Sequence, residues 1–267
     1  MTVVATVGTT HPLAFAGLTF AMLALEADAV RPVCVIAGVT AQDADRVRGS
    51  VAIDAATIHA QFDALRAAGV GAFHVGALVS ADAVRAVAAG LATYPNVPVV
   101  VDPVFTASGG DALADDATRV ALRDTLFARA SLITPNLDEA SALLGRAITG
   151  VDAMRDAATA LLAFGASAVL VKGGHLTGDA IDVLADGVGT REFRAPRVAG
   201  ALRGTGDLLA VTIAAALARG APLCEAVERA RARVRDAISE GVPFAGARVA
   251  TFSRASVGGV PDRRYAE

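Results

Sequence analysis

The chain has 267 residues, of which 54% are hydrophobic and 19% charged, a composition typical of a globular protein. Its formal net charge is -3 and residues of both signs are interspersed, so there is no basic field for nucleic acid or anionic lipid. The two cysteines, Cys34 and Cys224, have no metal-binding spacing, which excludes a zinc motif or disulfide framework and fits a reducing, cytoplasmic compartment. These features predict a protein that acts on a small molecule.

The N-terminal segment over residues 2–25 carries no Asp, Glu, Lys or Arg. It also lacks a basic leading region, and the turn-forming residues 8–12 interrupt it. We therefore expect a buried strand, a turn and a helix here, and no membrane anchor.

Apolar runs alternate regularly with amphipathic stretches, which predicts strand–helix units around a parallel sheet, an α/β fold. Strands are predicted over residues 3–7, 33–37, 72–75, 97–101, 131–134 and 168–172. Helices are predicted over 13–25, 54–68, 81–92, 115–128 and 151–164. An antiparallel hairpin over 181–185 and 192–195 and helices over 206–219 and 222–240 follow. We expect one domain over residues 1–252 and a C-terminal tail over 253–267.

The strongest chemical signal is the segment Gly204, Thr205, Gly206 and Asp207, which precedes an apolar helix. Glycines at a helix start let backbone N–H groups converge on an anion, and the helix macrodipole favours negative charge there. The segment therefore predicts a phosphate site with a carboxylate beside it. Taken alone, Asp207 is equally consistent with a carboxylate that only complements the helix dipole.

Lys172 is the only lysine among 24 basic residues, the others being arginine. It ends a predicted strand and precedes Gly173 and Gly174. Ligands bind beyond the carboxyl ends of parallel strands, so a compact ammonium at this position favours a phosphate contact. The alternative is an incidental lysine at a strand end.

Two further strand ends carry polar side chains. Asn136 and Glu139 follow a predicted strand and a proline, and they match a helix capping box. Asp102 follows a fully apolar strand and precedes Pro103, a pairing that also occurs in simple turns. Magnesium bound to phosphates takes one or two carboxylates, and Asp102 with Glu139 could supply them.

Together these segments resemble the ribokinase-like superfamily, in particular its branch of hydroxymethylpyrimidine and phosphomethylpyrimidine kinases, with the related pyridoxal kinases. The resemblance covers nearly the whole chain, through residues 7–9, 40–43, 74–78, 102–104, 134–140, 171–175 and 204–207. It implies a three-layer α/β/α sandwich with a mainly parallel central sheet, a C-terminal antiparallel hairpin and a homodimer. The short span over residues 7–37 leaves no room for the large lid of the sugar kinases.

The resemblance also implies roles for individual residues. Asp207 would be the base and Gly204, Thr205 and Gly206 the anion hole. The ATP phosphates would lie near Asn136, Lys172, Gly174 and Thr205, and Mg²⁺ near Asp102 and Glu139. The acceptor ring would be bound by Gln42, Ala77, Val104, Gly8 and Thr10.

Three departures from the branch affect the substrate more than the chemistry. The turn over residues 8–17 lacks the usual acidic and glycine positions, Asp207 stands where many members carry Cys, and Ala77 stands where Met is common. The resemblance implies ATP-dependent phosphorylation of a hydroxymethyl group on a heteroaromatic ring, as in thiamine biosynthesis. A pyridoxal kinase and a non-catalytic ring-binding protein of the same fold stay open, whereas a dinucleotide enzyme is disfavoured because no GxGxxG follows the first strand.

Overall fold

The computed structural model describes residues 1–174 and 176–252, so the predicted tail over 253–267 lies outside the described residues. The strands are β1 Val3–Thr10, β2 Arg31–Gln42, β3 Val47–Ala52, β4 Ala72–Val75, β5 Val99–Val101, β6 Leu132–Ile133, β7 Ala168–Lys172, β8 Ala180–Asp186, β9 Thr190–Ala195, β10 Val242–Phe244 and β11 Ala247–Val249. The helices are α1 Gly17–Ala27, α2 Ala55–Ala64, α3 Ala81–Ala92, α4 Asp116–Ala121, α5 Leu137–Leu144, α6 Val151–Leu161, α7 Thr205–Ala218 and α8 Leu223–Glu240.

Nine strands form one twisted sheet in the order β3-β2-β1-β4-β5-β6-β7-β8-β9. Six neighbouring strands of this sheet run parallel, namely β2, β1, β4, β5, β6 and β7. β3 pairs antiparallel with β2 at one edge, and β8 and β9 extend the other edge antiparallel. The chain leaves β1 toward β2 on one side and returns to β4 on the other, so the strand order reverses at β1, where open α/β sheets bind their ligands.

The sheet is covered on both faces, which gives three layers. Apolar side chains of α2, α3 and α6 pack on one face, including Phe62, Val84 and Met154. Those of α1, α7 and α8 pack on the other, including Ala210 and Val227. Both faces are buried, and this explains why the central strands read as continuous apolar runs instead of alternating patterns.

Every strand and helix predicted from the sequence is present, including the hairpin β8–β9, although several boundaries differ. α1 begins at Gly17 instead of residue 13, because residues 11–16 form a turn. Past α4 the predicted helix continues as a π-helical turn over Leu122–Leu126 and a 3₁₀ turn over Phe127–Arg129. The α/β fold class is confirmed, and among the described residues the addition at the β2 edge is one six-residue strand, β3.

The strands β3, β10 and β11 were not predicted. β3 is exposed or half-buried throughout and has no apolar alternation, so only its backbone pairing with β2 defines it. Its turn depends on Asp43, whose carboxylate accepts hydrogen bonds from the N–H groups of Asp45 and Arg46. The pair β10–β11 turns through Ala245 and Gly246, both at positive φ, which is the geometry of a type I′ hairpin turn. Within the described residues, no helix is long and apolar enough to cross a membrane.

The packing of α3 on α2 requires a glycine at position 90. A Cβ there would lie 2.2 Å from Cδ2 of Phe62, whose ring also contacts Phe73 and Tyr94. We predict that Gly90→Ala lowers the free energy of unfolding by about 1–3 kcal/mol, despite alanine's higher helix propensity. The reason is that the packed ring of Phe62 would have to move to make room for the added methyl group. Equilibrium urea denaturation measures this, with Gly49→Ala, whose Cβ meets nothing within 4 Å, as the control. Equal stability of the two variants would contradict the prediction.

Candidate active site

The carboxyl ends of the parallel strands border a cavity of about 700 Å³, a size typical of small-molecule sites. It collects most of the residues predicted from the sequence: Gln42, Ala77, Asp102, Val104, Asn136, Glu139, Lys172, Gly174, Gly204, Thr205, Gly206 and Asp207. Gly8 and Thr10 are not among its lining residues. A Cβ at Gly8 would lie 3.3 Å from the carbonyl oxygen of Ala77, and the Thr10 hydroxyl bonds to that of Thr19, so both positions contact neighbouring parts of the fold instead of the cavity.

A buried ion pair lies on the cavity floor. Lys172 Nζ donates to Oδ1 of Asp102 at 2.6 Å, and the Thr134 hydroxyl donates to the same oxygen at 2.9 Å. These residues stand at or just after the ends of β7, β5 and β6, so one carboxylate oxygen joins three neighbouring strands. Burial works against the Lys172 ammonium, but the carboxylates of Asp102 and Glu139 outweigh it and raise the pKa of Lys172. The side chain is therefore a fixed cation.

The α5 terminus is a complete capping box. The Asn136 side chain accepts from the N–H of Glu139 at 2.8 Å, and the N–H of Asn136 donates to Oε2 of Glu139 at 2.7 Å. The capping predicted from the sequence is thus confirmed. Burial raises the pKa of Glu139 to about 7, with Lys172 opposing the shift and Asp102 reinforcing it. A nearby cation would stabilise the ionised form of this carboxyl group.

The N-terminus of α7 closes tightly over this floor. Gly204 is the N-cap at φ +76°, a left-handed conformation, and a Cβ there would lie 2.4 Å from the carbonyl oxygen of Phe15. A Cβ at Gly206 would lie 2.9 Å from Oδ2 of Asp102 and 3.4 Å from Nζ of Lys172. Glycine at both positions lets the first N–H groups of a 14-residue helix reach the ion pair. Exposed N–H groups at a helix N-terminus are the chemistry that an anion requires.

Asp207 lies in the first turn of α7 and is 7% exposed. Its Oδ2 accepts a hydrogen bond from the N–H of Gly17 at 3.1 Å, whereas Oδ1 has no partner among the described residues. Burial raises the pKa of Asp207 to about 6, and Asp102 adds to the shift while Gly17 and Lys172 reduce it. A carboxylate with one free oxygen and a pKa near neutrality has the properties of a general base.

Asp102 and Glu139 are the two carboxylates that the sequence suggested for Mg²⁺. Both are buried, both line the cavity, and Asp102 Oδ2 faces the α7 terminus where phosphates would bind. Among residues 1–174 and 176–252 no group of three or more His, Cys, Asp or Glu side chains could hold a metal. A magnesium ion on bound phosphates needs only one or two carboxylates from the protein, and Asp102 and Glu139 would supply them.

Several neighbours of the site were not predicted. Thr134 and Gly17 hold the carboxylates of Asp102 and Asp207, and they could have been suspected only as small residues beside strand and helix ends. Arg197 reaches back to the carbonyls of Gly174, Leu176 and Gly178 and so ties down the segment after β7. No local motif marks this contact, because it joins positions more than 18 residues apart.

A glycine-rich helix terminus, a buried lysine and a buried carboxylate at the carboxyl edge of this sheet are the arrangement of a small-molecule kinase of ribokinase-like fold. The chain belongs to the phosphomethylpyrimidine kinase family, whose model matches residues 13–251. The predicted family and the predicted class, an ATP-dependent small-molecule kinase, are both confirmed.

A hydroxymethylpyrimidine/phosphomethylpyrimidine kinase from Streptomyces coelicolor is 40% identical over 214 residues, which make up 79% of each chain. The thiamine biosynthesis bifunctional protein ThiED from Geobacter sulfurreducens is 40% identical over 213 residues, 79% of this chain, and the match spans only 44% of that longer protein. A Bacillus subtilis pyridoxal kinase solved as an ADP complex superposes with a TM-score of 0.86 at 28% identity, covering 95% of this chain and 98% of that one.

The ion pair leads to a prediction for Lys172. A guanidinium is larger than an ammonium, and the close approach of Gly206 leaves it no room. We predict that Lys172→Arg lowers kcat/KM for ATP by about 10- to 100-fold although it keeps the charge, because misplacement of a positioning group is costly. Steady-state kinetics at varied ATP measures this, with the exposed exchange Arg85→Lys as control. ATP kinetics in Lys172→Arg equal to those of the wild type would contradict this prediction and would indicate that Lys172 is an incidental lysine at a strand end.

The raised pKa of Asp207 leads to a prediction on pH. Only the ionised carboxylate can accept a proton, so activity is present above the folded pKa and is lost as the pH falls through it. We expect log kcat/KM for the acceptor, plotted against pH, to rise with a slope of about one at acidic pH and to level off near pH 6. The residual activity of Asp207→Asn should lack this acidic limb. An unchanged limb in that variant would assign it to another group.

Proposed function

We propose that the protein transfers the γ-phosphoryl group of ATP to the hydroxymethyl group of a pyrimidine, acting as a hydroxymethylpyrimidine and phosphomethylpyrimidine kinase of thiamine biosynthesis. The observation that carries the proposal is the free Oδ1 of buried Asp207, beside the glycine-rich α7 terminus and in the cavity lined by Gln42 and Ala77. Family membership and 40% identity to the Streptomyces kinase support the same substrate class.

In this mechanism the acceptor hydroxyl gives its proton to Asp207 as its oxygen bonds to the γ-phosphorus and the bond to ADP breaks. Lys172 and the N–H groups of Gly204 to Gly206 stabilise the charge on the transferring group, the usual main contribution in phosphoryl transfer. Asn136 and Gly174 border the nucleotide phosphates. Asp102 and Glu139 would hold Mg²⁺, which when bound neutralises phosphate charge.

A pyridoxal or pyridoxine kinase is the second candidate. Asp207 favours it, since many members of the pyrimidine-kinase branch carry Cys at this position, and so does the superposition on the Bacillus pyridoxal kinase. A non-catalytic ring-binding protein is disfavoured, because such a protein needs neither the buried Asp102–Lys172 pair nor a base with a free oxygen.

We propose in addition that the protein is a cytoplasmic homodimer, as the family resemblance implies. The sheet edge supports an interface, because the paired residues Val39 on β2 and Val51 on β3 are 45% and 67% exposed. An apolar cross-strand pair facing solvent at a sheet edge is typical of a surface that another chain covers. Val51→Glu should yield a monomer in light scattering, and a Val51→Glu protein that stays dimeric would contradict an interface at this edge.

The role of Asp207 is tested by Asp207→Asn, which preserves shape and removes the base. We expect kcat for the acceptor to fall by about 10²- to 10⁴-fold with KM for ATP nearly unchanged. The assay follows ADP release with hydroxymethylpyrimidine, its monophosphate, pyridoxal and a sugar as acceptors, which ranks the two candidates directly. Full turnover in Asp207→Asn would eliminate this residue as the base, and failure to phosphorylate any heteroaromatic acceptor would overturn the proposed function.

A further inference from the structure

The turn after β1 brings a histidine into the acceptor side of the cavity. His11 is 7% exposed and lines the cavity together with Gln42, Ala77 and Gly17. Among the described residues neither ring nitrogen has a partner at full hydrogen-bond geometry, and the backbone of Ala16 acts only weakly on the ring. Buried polar groups are almost always bonded, so an imidazole on a cavity wall with at least one nitrogen unused indicates a group that bonds to a ligand.

Ring packing and the backbone of the turn position the imidazole. The His11 ring lies 5.7 Å from that of Phe15 between centroids, at a tilt of 53°, and Phe15 in turn meets the edge of Phe244. The carbonyl of His11 accepts a hydrogen bond from Ala14, which has a positive φ of 49°. A non-glycine residue in this region is strained, and such strain clusters at ligand-binding segments.

The chemical state of the ring suits a heterocycle. Burial lowers the pKa of His11, and the nearby backbone of Ala16 offsets part of the shift. The imidazole is therefore neutral at pH 7, with one nitrogen that donates and one that accepts. A neutral donor–acceptor pair matches ring nitrogens, amino groups and hydroxyl groups, whereas a phosphate is better matched by the Lys172 side of the cavity.

Position also links His11 to the reacting group. The same turn ends at Gly17, whose N–H donates to Oδ2 of the base Asp207, so the segment that carries His11 also orients the base. Gly17 has a φ of +69°, and a Cβ there would lie 2.7 Å from the carbonyl oxygen of Thr9. A ring bound by His11 would thus lie at a fixed position relative to Asp207, because a short, tightly packed turn connects His11 to Gly17, which contacts Asp207.

We propose that His11 is a specificity-determining residue that hydrogen-bonds a polar ring atom of the acceptor, a ring nitrogen or an exocyclic amine or hydroxyl, and so selects among flat nitrogen heterocycles. This inference rests on the proposed function, since it assigns a ligand contact within the same site. It also gives a role to the turn over residues 8–17, which departs from the pattern of the family it resembles.

The test uses His11→Phe, which keeps the ring stack and removes both nitrogens, and His11→Asn, which keeps a donor and an acceptor. The matched control is His59→Gln, since His59 is exposed on α2 and lies outside this cavity. Each protein is titrated calorimetrically with hydroxymethylpyrimidine and with pyridoxine in the absence of ATP, and is then assayed for KM and kcat. Thermal melting confirms that each variant is folded.

We expect His11→Phe to raise Kd and KM for the preferred ring about tenfold, as loss of one buried hydrogen bond requires. KM of His11→Phe for ATP should stay within about twofold of the wild-type value, and its preference for one ring over the other should become smaller. His11→Asn should bind the preferred ring more tightly than His11→Phe does. His59→Gln should match wild type. A folded His11→Phe protein with unchanged ring affinity and unchanged preference overturns this inference alone.

The two proposals fail in different ways. A wild-type protein that binds a ring through His11 but transfers no phosphoryl group overturns the proposed function and leaves the ring contact standing. A wild-type protein that binds neither ring overturns both. An equal loss for ATP and ring in His11→Phe would indicate general damage to the cavity and would contradict a role in ring selection.

Discussion

The ion pair between Lys172 and Asp102 is the contact on which the rest of the site depends. It is almost fully buried, and one carboxylate oxygen receives both the Lys172 ammonium and the Thr134 hydroxyl. A buried pair contributes little net stability, but removal of one partner leaves a costly unpaired charge. The pair therefore fixes the ends of β5, β6 and β7 relative to one another, and the α7 terminus approaches it closely only because Gly206 has no side chain.

The charge balance around this pair explains the raised pKa values. Three buried carboxyl groups, Asp102, Glu139 and Asp207, share one ammonium, and burial together with mutual repulsion raises the pKa of Glu139 to about 7 and that of Asp207 to about 6. His74 adds no positive charge, because burial lowers its pKa to about 4. This balance supports the proposed roles, a divalent cation beside Asp102 and Glu139 and Asp207 as a base that is ionised near neutral pH.

The two halves of the cavity differ in how far the sequence predicts them. On the phosphate side each predicted residue follows a strand or starts a helix, and sheet topology alone brings Asp102, Asn136, Lys172 and Asp207 together. On the ring side the prediction is less complete. Gly8 and Thr10, assigned to the substrate, are not lining residues, whereas His11, one position further along, is. The ends of strands can be predicted from the hydrophobic periodicity of the sequence, whereas the path of an irregular turn depends on the residues that pack around it.

The sequence by itself determined the alternation of strands and helices, the capping box at Asn136 and the set of polar residues at the strand ends. These features follow from local periodicity and backbone chemistry, which act over a few residues. Only the tertiary structure decided that β3 pairs at the sheet edge, that Gly17 holds Asp207 and that Arg197 ties down the segment after β7. The β2–β3 hairpin is local, but β3 has no apolar alternation to mark it. The contacts of Gly17 and Arg197 join groups distant in sequence, and long-range pairing leaves no pattern in the residues that it joins. Burial has the same origin, so the pKa of Asp207, and with it the capacity of this carboxylate to act as a base, is set by the folded chain.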